Sequence, residues 1–321
     1  MTTFRKRLSQ ALALTVGLVA LNVSAQDVRS WLNRMGIAVE ELNYEGTFVH
    51  VRGDNTESLH IIHRNEAGSV SERLVSLGDA GREIIRQDHE IQCILPDRKV
   101  VLLEQTRNIS PLVSALPSYS EGLESHYDFA VIKTARVAKR PTQVIGIRPK
   151  DEYRYGYILW LDEETAMPLK TQLRDENGEI VEQILFTQFD VLEAIPSSVF
   201  ESTIDTEGFT WFHPPKANIL HSSSVSWRAA SLPSGFKLSV AKQSPIAGSK
   251  YPVEHLVYSD GLATVSVFIE DPKTDAEVAE GFTKVGSTNA YSLTLSGRKV
   301  TAIGEVPRET VRTIAASLTS E

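Results

Sequence analysis

The sequence predicts a two-domain α+β protein built mainly from antiparallel β-sheet. Its 321 residues exceed the usual length of a single domain. Short runs rich in valine and isoleucine recur along most of the chain, and turn signals such as Asn177-Gly178 separate them. Helical periodicity is confined to two segments, one near each end of the mature chain. Strands joined by tight turns favour antiparallel sheets, which helices can cover on one face.

Composition and charge exclude several classes of protein. Hydrophobic residues make up 41% and charged residues 23% of the chain, which is typical of a folded globular protein. The formal net charge is -8, and because phosphate binding needs clustered lysine and arginine, we expect no nucleic-acid partner. The single cysteine, Cys93, excludes an internal disulfide and a cysteine-rich zinc site.

The first 25 residues have the features of a secretory signal peptide. Three basic residues precede an apolar run over residues 11–21, and residues 23–25 are small enough for cleavage. The alternative is an uncleaved membrane anchor, but the apolar run is shorter than the roughly 20 residues that span a bilayer. We therefore predict cleavage after residue 25 and a soluble periplasmic protein, which a lone cysteine also suits.

Residues 26–203 are predicted to form the larger domain. Residues 27–42 carry apolar side chains at spacings of three and four, with Asp27 as a candidate N-cap, and are therefore predicted to be an amphipathic helix. The pattern changes to that of a strand over residues 44–52, and a turn leads into a returning strand. Further short strands follow, and tight turns join the last three, which predicts an antiparallel meander.

Two strands of this meander, residues 155–162 and 180–189, are apolar on both faces. In the first strand, one face carries Tyr155, Tyr157, Leu159 and Leu161, and the other carries Ile158 and Trp160. In the second strand, one face carries Val181, Leu185 and Phe189, and the other carries Ile180, Ile184 and Phe186. An antiparallel sheet with one solvated face alternates between apolar and polar residues. The sheet is therefore predicted to be covered on both sides, by helices on one face and by a second sheet, a curled barrel wall or a ligand on the other.

Residues 204–222 are predicted to form a linker, and residues 223–321 a smaller antiparallel-sheet domain with a helix. The segment up to residue 216 contains prolines and little periodicity, which is typical of a connection between domains. Several short strands follow, and Asp260-Gly261 is a strong hairpin signal. The chain closes with an amphipathic helix over residues 307–318.

No pattern in the sequence indicates catalysis. Cys93 and His89 could form a nucleophilic pair, but no oxyanion donor is evident beside them, so a structural cysteine is favoured. His60 and His63 would point to opposite faces of a strand and are not predicted to bind a metal. The acidic cluster at residues 162–164 abuts a turn and is predicted to be exposed. Motifs for nucleotide binding or a nucleophile elbow are absent from the sequence, so we expect a binding protein without cofactor or metal.

The chain resembles the RseB/MucB family along its whole mature length and in the same order. The most recognisable stretch runs from residue 153 to residue 162, and another lies at residues 258–270. These motifs are structural and not catalytic, so their specificity comes from their number and arrangement. The segments that carry the resemblance are 30–34, 44–49, 62–64, 153–162, 168–170, 186–189, 258–263, 267–270 and 304–307.

The resemblance implies a periplasmic regulator of the envelope-stress sigma factor. Members of the family bind the periplasmic region of a membrane-spanning anti-sigma factor and shield it from the site-one protease. The resemblance also implies a larger domain similar to the carrier LolA, which is a half-open antiparallel β-barrel with covering helices. The implied release signal bears lipid and is either lipoprotein or lipopolysaccharide. A periplasmic lipid or lipoprotein carrier is the alternative, and the oligomeric state is left open, a homo-oligomer included.

If the larger domain holds an acyl chain, the paired strands are expected to supply the wall of its groove. The candidate residues are Phe48, Tyr157, Leu159, Leu185 and Phe189. Strand alternation does not say which face is inward, so the alternative is that these side chains pack beneath helices. The substitution Leu159→Asp separates the two cases. It would abolish lipid binding in a folded protein if Leu159 lined a groove, and would unfold the protein if Leu159 lay in an ordinary core.

Overall fold

A computed structural model shows two lobes, each with its own main β-sheet. The residues that the structure describes are 25–78, 81–105, 116–117, 120, 122–213, 218–219, 225–244, 252–270 and 280–320. The predicted signal peptide lies outside the described residues, apart from residue 25. We call residues 25–212 the larger lobe and residues 218–320 the smaller lobe.

The larger lobe begins with helix α1, Ala25–Glu41, which confirms the predicted amphipathic helix. The prediction of Asp27 as its N-cap is wrong, because the helix begins two residues earlier. Its strands are β1 (Tyr44–Arg52), β2 (Asn55–Glu66), β3 (Ser69–Ser76), β4 (Glu83–Gln87), β5 (Glu90–Leu95), β6 (Val100–Gln105), β7 (Tyr127–Val137), β8 (Arg140–Pro149), β9 (Gly156–Asp162), β10 (Pro168–Arg174), β11 (Ile180–Val191) and β12 (Thr210–Phe212). Short 3-10 turns are Pro96–Arg98, Leu123–Ser125 and Ser197–Phe200.

These strands form one open sheet in the order β12-β6-β5-β4-β3-β2-β1-β11-β10-β9-β8-β7. Strands that follow one another pair antiparallel within β1–β6 and within β7–β11, and β1 pairs antiparallel with β11, which joins the first strands to the meander. Helix α1 covers one face, which we call the inner face and which carries Tyr44, Phe48, Leu59 and Leu159. The predicted fold class, with a large open antiparallel sheet, a covering helix and a separate smaller sheet domain, is confirmed.

A β-bulge in β11 changes the face that an aromatic side chain occupies. The register against β1 shifts after Phe186, which pairs with Phe48, and Thr187 is the extra residue. Phe189 therefore lies on the same face as Phe186, and their ring centroids are 5.7 Å apart. The alternation expected from the sequence placed these two rings on opposite faces and is wrong here, because strand parity does not count a bulged residue.

The outer face of the larger sheet is covered, over its first strands, by the chain that follows β11. Arg64 on β2 donates a hydrogen bond to the Ile195 carbonyl oxygen at 2.9 Å. Farther along, Ile204 and Phe209 pack on a small apolar cluster of Ile85, Ile94 and Val101. Strand β12 then pairs in parallel with β6. Residues 204–212, which the sequence pattern assigned to a linker, thus lie against the larger lobe.

The smaller lobe has a seven-stranded sheet in the order β13-β15-β16-β17-β20-β19-β18 and a two-stranded sheet of β14 and β21. Its elements are β13 (Asn218–Ile219), β14 (Trp227–Ala229), β15 (Lys237–Ser244), β16 (Val253–Ser259), β17 (Thr264–Glu270), β18 (Gly281–Val285), β19 (Thr288–Leu295), β20 (Arg298–Gly304), helix α2 (Arg308–Ala316) and β21 (Leu318–Ser320). The predicted closing helix is present, with slightly narrower bounds, and the predicted hairpin at Asp260-Gly261 is confirmed.

One apolar core fills the space between the smaller sheet and helix α2. Val265, Val267 and Ile269 of β17 face Val311 and Ile314 of the helix, and all of them are buried. The alternation of β17 explains this arrangement, because its odd-numbered residues share one face. Within the described residues, neither this helix nor α1 has the length and apolar character needed to cross a membrane.

Candidate functional site

The first apolar cluster of the inner face contains two of the candidate wall residues. Phe48 and Phe189 are 3% and 5% exposed, and Leu185 is half-buried at the margin of the cluster. Val39, near the end of α1, packs into the same cluster. Leu185 pairs with Val49 and alternates with the inner-face residue Phe186, so it points towards the other face of the sheet. Phe48 and Phe189 therefore lie beneath a helix. Any acyl chain that reached them would share this part of the inner face with α1.

The second apolar cluster contains Leu159 and lies under the first part of α1. The Leu159 side chain is 0% exposed, and the helix contributes Val28, Leu32 and Met35. Tyr157 is half-buried at the margin of this cluster. All five candidates thus lie in or beside the two inner clusters, and three of them are fully buried there. Whether the same wall also accepts lipid is a separate matter, which we take up as a proposal.

The turn between β16 and β17 reaches from the smaller lobe into the larger one. Asp260 accepts a hydrogen bond from the Tyr127 hydroxyl at 2.9 Å, and Leu262 packs against the second apolar cluster. Gly261 has a φ of +104°, and a Cβ atom there would lie 2.5 Å from the Ser120 hydroxyl oxygen. Glycine is therefore required at this position for both its backbone conformation and its close approach. The hairpin tip forms one half of the junction between the lobes.

Arg154 of the larger lobe lies at the centre of this junction. Its side chain and that of Asp260 are both 0% exposed, and the Arg154 Nη1 and Asp260 Oδ2 atoms are 3.1 Å apart. Arg154 also donates to the Ser234 carbonyl oxygen at 2.5 Å. Its guanidinium lies over the rings of Tyr127 and Phe236, 5.4 and 5.3 Å from the centroids. Arg154 also pairs with Asp151 of its own lobe, 3.1 Å away. Because loss of Arg154 would leave the Asp260 carboxylate buried without a cation, this pair ties the lobes together.

A second polar contact joins the lobes at the end of β1. Arg52 donates to the Ser287 hydroxyl oxygen at 2.7 Å and to the Glu305 carboxylate at 2.5 Å. Beside it, Gly53 and Gly286 approach so closely that a Cβ on Gly53 would lie 2.8 Å from the Gly286 Cα atom. This contact places a carboxyl group of the smaller lobe against the end of the larger sheet.

Glu305 meets another carboxyl group there, that of Glu182 on β11. The His50 Nε2 atom lies 2.5 Å from the Glu182 Oε1 atom. Burial would raise the pKa of Glu182, but the hydrogen bond with His50 and the charges of His50 and Arg52 hold it below its usual value. Burial and the nearby charge of Glu182 raise the pKa of Glu305. Glu182 is therefore the more acidic carboxyl, and Glu305 takes up a proton more readily.

Tyr157 connects the apolar inner face to this charged end of the sheet. Burial raises the pKa of its hydroxyl well above the usual value, and the carboxylates of Glu305 and Glu182 add to the shift. The Tyr157 ring packs beside the second apolar cluster. This candidate wall residue therefore lies at the border between the inner face and the junction, and not in the middle of an apolar wall.

The other side chains considered for chemistry have structural partners. Burial raises the pKa of the Cys93 thiol, although the charge of Arg82 partly opposes this, and a thiol in that state is a weak nucleophile. His63 donates from Nδ1 to the Leu42 carbonyl oxygen at 2.8 Å, whereas His60 lies 3.2 Å from the Glu45 carboxylate. Among the residues that the structure describes, no group of three or more His, Cys, Asp or Glu side chains could hold a metal ion.

Asp162 departs from the prediction that the acidic cluster at residues 162–164 is exposed. Its side chain is 0% exposed and accepts hydrogen bonds from Arg140 at 2.8 and 3.0 Å. Burial would raise the pKa of Asp162, but the bonds from Arg140 and Thr165 hold it below its usual value. The prediction is wrong for Asp162 because its partner comes from β8, which the local turn pattern does not reveal. Asp162 closes the turn between β9 and β10.

Sequence patterns did not single out the charged residues of the junction. Nothing local distinguishes the buried Arg154 from an exposed arginine, and Asp260 was noted only as a hairpin residue. The available signal was the family resemblance, since Arg154, Asp260 and Glu305 all lie in segments that carry it. The structure shows that Arg154 meets Asp260 between the lobes and that Glu305 meets Arg52 there.

Two family models match the chain, one for each lobe. The model described as the MucB/RseB N-terminal domain matches residues 27–204. The model described as the MucB/RseB C-terminal domain matches residues 221–319. The two matches follow one another along the chain and leave only a short stretch between them, so the similarity extends to both lobes and to their order.

Similar proteins and structures agree with the family models. The chain is 35% identical over 323 residues to the sigma factor AlgU regulatory protein MucB of Pseudomonas aeruginosa, with 98% of each chain covered. It is 27% identical over 319 residues to the sigma-E factor regulatory protein RseB of Escherichia coli K12, again with 98% of each covered. Among solved structures, MucB in the Pseudomonas aeruginosa MucA/MucB complex has a TM-score of 0.72 at 32% identity, covering 92% of this chain and 99% of that one. MucB in complex with MucA(peri) has a TM-score of 0.69 at 33% identity, with the same coverage.

Proposed function

Because the chain belongs to the MucB/RseB family, we propose that it is a periplasmic negative regulator that binds the periplasmic region of a membrane-spanning anti-sigma factor. The observation that supports this most strongly is the similarity to a sigma factor regulatory protein over 98% of each chain. The solved complexes of MucB with MucA and with MucA(peri) support a partner of this kind. Both lobes match the family, so the whole chain is the proposed unit of binding.

The regulator acts by occlusion and not by catalysis. A bound anti-sigma segment is not available to the site-one protease, so the cleavage rate falls with the fraction of the segment that is bound. The anti-sigma factor then stays intact, and the sigma factor stays sequestered. This mechanism needs binding surfaces with a defined relative position, and the contact between Arg154 and Asp260 supports such an arrangement.

A lipid-bearing signal, either lipoprotein or lipopolysaccharide, releases the partner in this proposal. A lipid that prefers the partner-free protein lowers partner affinity by the ratio of its own two affinities. The apolar inner face around Phe48, Leu159 and Phe189 supports an acyl-binding role, with Leu185 and Tyr157 at its margins. Because α1 packs on these residues, entry of an acyl chain requires the helix to shift.

Export follows from the N-terminal pattern. A basic start, an apolar run and small residues before position 26 support removal of a signal peptide and a mature chain of residues 26–321 in the periplasm. That location agrees with a partner whose exposed region is periplasmic. The mature chain needs no cofactor or metal for a role that consists of binding. Assembly of the chain into a homo-oligomer would change only the stoichiometry of its complex with the anti-sigma factor.

A carrier of lipids or lipoproteins is the second candidate function. The inner apolar face alone would suit a carrier, since a carrier needs only a groove for acyl chains. The smaller lobe favours the regulator, because it adds a second surface and a charged junction that transport does not require. Affinity capture from envelope extracts separates the two. A carrier would retain acylated cargo without a stable membrane-protein partner, whereas a regulator would retain the anti-sigma factor.

Calorimetric titration of the mature chain with the periplasmic region of the anti-sigma factor tests the proposal. We expect saturable binding that lipopolysaccharide or a synthetic lipopeptide weakens. Phe48→Ala, which removes an inner-face ring, should reduce the effect of lipid while preserving partner binding, and Ile37→Ala, on the exposed side of α1, is the matched control. Failure of the partner to bind would refute the regulator. Binding that lipid does not change would refute only the release signal.

A further inference from the structure

We propose that the Tyr44 hydroxyl on the inner face donates a hydrogen bond to the carbonyl oxygen of an ester- or amide-linked acyl chain. The inner face would then distinguish an acylated lipid or lipoprotein from a plain hydrocarbon chain. This inference rests on the proposed lipid-bearing signal and adds the chemical group that the protein recognises. The observation that carries it is a buried hydroxyl without a partner, placed between an apolar cluster and a row of polar side chains.

Four ionisable side chains form a row across the first strands on the inner face. Strand pairing places Tyr44 of β1 opposite His63 of β2, which in turn lies opposite Glu72 of β3. Glu72 then pairs with Arg86 of β4. Directly paired residues share one face of a sheet, and none of these four is more than 5% exposed. The row is therefore a buried polar strip beside the first apolar cluster.

The Tyr44 hydroxyl has no hydrogen-bond partner among the residues that the structure describes, although its oxygen is buried. The Tyr44 ring stacks on the His63 imidazole, with centroids 5.0 Å apart and 13° between the planes. His63 bonds elsewhere, because its Nδ1 donates to the Leu42 carbonyl oxygen at 2.8 Å. Since buried polar groups are normally hydrogen-bonded, the Tyr44 hydroxyl is a donor available to a group from outside the chain.

The Tyr44 ring also belongs to the first apolar cluster. Its centroid lies 5.7 Å from that of the Phe189 ring, and Val39 of α1 packs into the same cluster. The hydroxyl therefore lies at a boundary between apolar and polar surroundings, which is where the carbonyl of an acyl lipid belongs. When α1 shifts, an acyl chain that replaces Val39 against Phe48 and Phe189 brings its carbonyl end to Tyr44.

The charges of the row favour a neutral acceptor over an anion. The charges of Glu72 and Arg86 cancel, and burial lowers the pKa of His63, which therefore adds no charge at neutral pH. Burial raises the pKa of Tyr44 well above its usual value, and the charge of Glu72 adds to the shift, so the hydroxyl keeps its proton and donates. A second anion beside Glu72 would be buried without a cation of its own. An ester or amide carbonyl is therefore favoured over a phosphate or a free carboxylate.

Two lipids that differ only in the carbonyl group test the proposal. Equilibrium dialysis of the mature chain measures binding of radiolabelled 1-palmitoylglycerol, an ester, and of 1-O-hexadecylglycerol, its ether analogue, both below the concentration at which they form micelles. We expect the ester to bind about fivefold more tightly, which is the ratio that one neutral hydrogen bond gives. Tyr44→Phe should abolish this preference and leave binding of the ether unchanged. Tyr291→Phe, on β19 of the smaller lobe, is the matched control and should keep the preference of the parent.

A second variant tests the charge of the site and applies even if Tyr44→Phe does not fold. Palmitate at about pH 8 is an anion and should bind the parent more weakly than 1-palmitoylglycerol does. Glu72→Gln should raise the affinity for palmitate about threefold or more, because the carboxylate that repels it is gone. An unchanged affinity for palmitate in the folded variant would contradict a carbonyl site beside Glu72.

Competition against the labelled ester distinguishes the two sources of acyl chains. A synthetic diacyl lipopeptide stands for lipoprotein, and lipopolysaccharide is the other competitor. The competitor that loses potency with Tyr44→Phe is the one whose acyl carbonyl this hydroxyl binds, and a loss for neither would overturn the inference.

The result also separates this inference from the proposed function. Equal affinities of the parent for ester and ether, or a folded Tyr44→Phe protein that keeps the preference, would overturn the inference and leave the regulator intact. A parent that binds neither lipid would overturn the inference together with the lipid-bearing signal. Binding of the anti-sigma factor is measured without these lipids, so its failure is a distinct result.

Discussion

The inner face under α1 and the junction between the lobes are both buried, but they are built from different chemistry. Under α1, Phe48, Leu159 and Phe189 pack mainly among other aromatic and aliphatic side chains. At the junction, Arg154 and Asp260 are equally buried, yet they are charged and paired. Apolar packing is non-directional, whereas an ion pair with hydrogen bonds fixes geometry.

This difference assigns a separate role to each region. An apolar face can replace its contacts with a helix by contacts with an acyl chain, so it suits a helix that shifts to admit a lipid. At the junction, the Asp260 carboxylate is buried against the Arg154 guanidinium, and removal of that cation would leave it without a charged partner. The junction therefore sets the relative position of the lobes, and the inner face supplies the surface on which a ligand could act.

Among the substitutions that test this difference, Leu159→Asp in the inner face should have the largest effect on stability. The side chain is 0% exposed and packs under α1, so an unpaired carboxylate there should reduce the free energy of unfolding by about 4 kcal/mol or more. Urea unfolding followed by circular dichroism measures the loss. Ile132→Asp on edge strand β7, where the side chain is 51% exposed, is the control and should change little. A folded Leu159→Asp protein that has lost only lipid binding would instead place Leu159 on an open groove wall.

Arg154→Met should destabilise the junction by about 3 kcal/mol, because it leaves Asp260 buried without its cation. Adding Asp260→Asn to the same chain should restore part of the loss, since the uncompensated charge is then gone. Urea unfolding of the two single variants and the double variant forms a double-mutant cycle. Additive losses in that cycle would show that the two side chains do not interact, contrary to a charged junction.

Gly261→Ala should cost about 1–2 kcal/mol of unfolding free energy, because it combines a left-handed backbone with a close approach to Ser120. Gly178→Ala is the matched control, since its φ is +81° but no atom lies within 4 Å of the added Cβ. The control should lose only the part that comes from backbone strain. Equal losses in thermal unfolding would mean that the hairpin tip is not pressed against the larger lobe.

The smallest expected effect is a pH dependence inside the larger lobe. Asp162 has a lowered pKa, so its pairing with Arg140 stabilises the fold above the ordinary pKa of the carboxyl, and this contribution is lost as the pH falls through the lowered value. Arg140→Gln should therefore cost about 1 kcal/mol at neutral pH and less below about pH 4. Denaturant unfolding across pH measures this, with the exposed Arg98→Gln as control. A cost that grows in acid would contradict the assignment.

Local sequence patterns predicted the elements of this fold better than its contacts. Hydrophobic periodicity predicted the bounds of β1 and placed the ends of α1 and α2 within two residues, and the hairpin at Asp260-Gly261 follows from its turn residues. The position of Phe189 did not follow, because a bulge is set by pairing with another strand. Arg154 and Glu305 did not follow either, since burial of a charge depends on a partner from a distant part of the chain.

Proteolysis of the anti-sigma periplasmic region by the site-one protease, with and without the mature chain, measures shielding itself. The proposed function predicts that cleavage slows as the chain is added. Once the anti-sigma segment is saturated, further addition of the chain should not change the cleavage rate. An equal concentration of the chain unfolded by Leu159→Asp should give no shielding. Cleavage that proceeds as fast in the presence of saturating folded protein as in its absence would contradict the account.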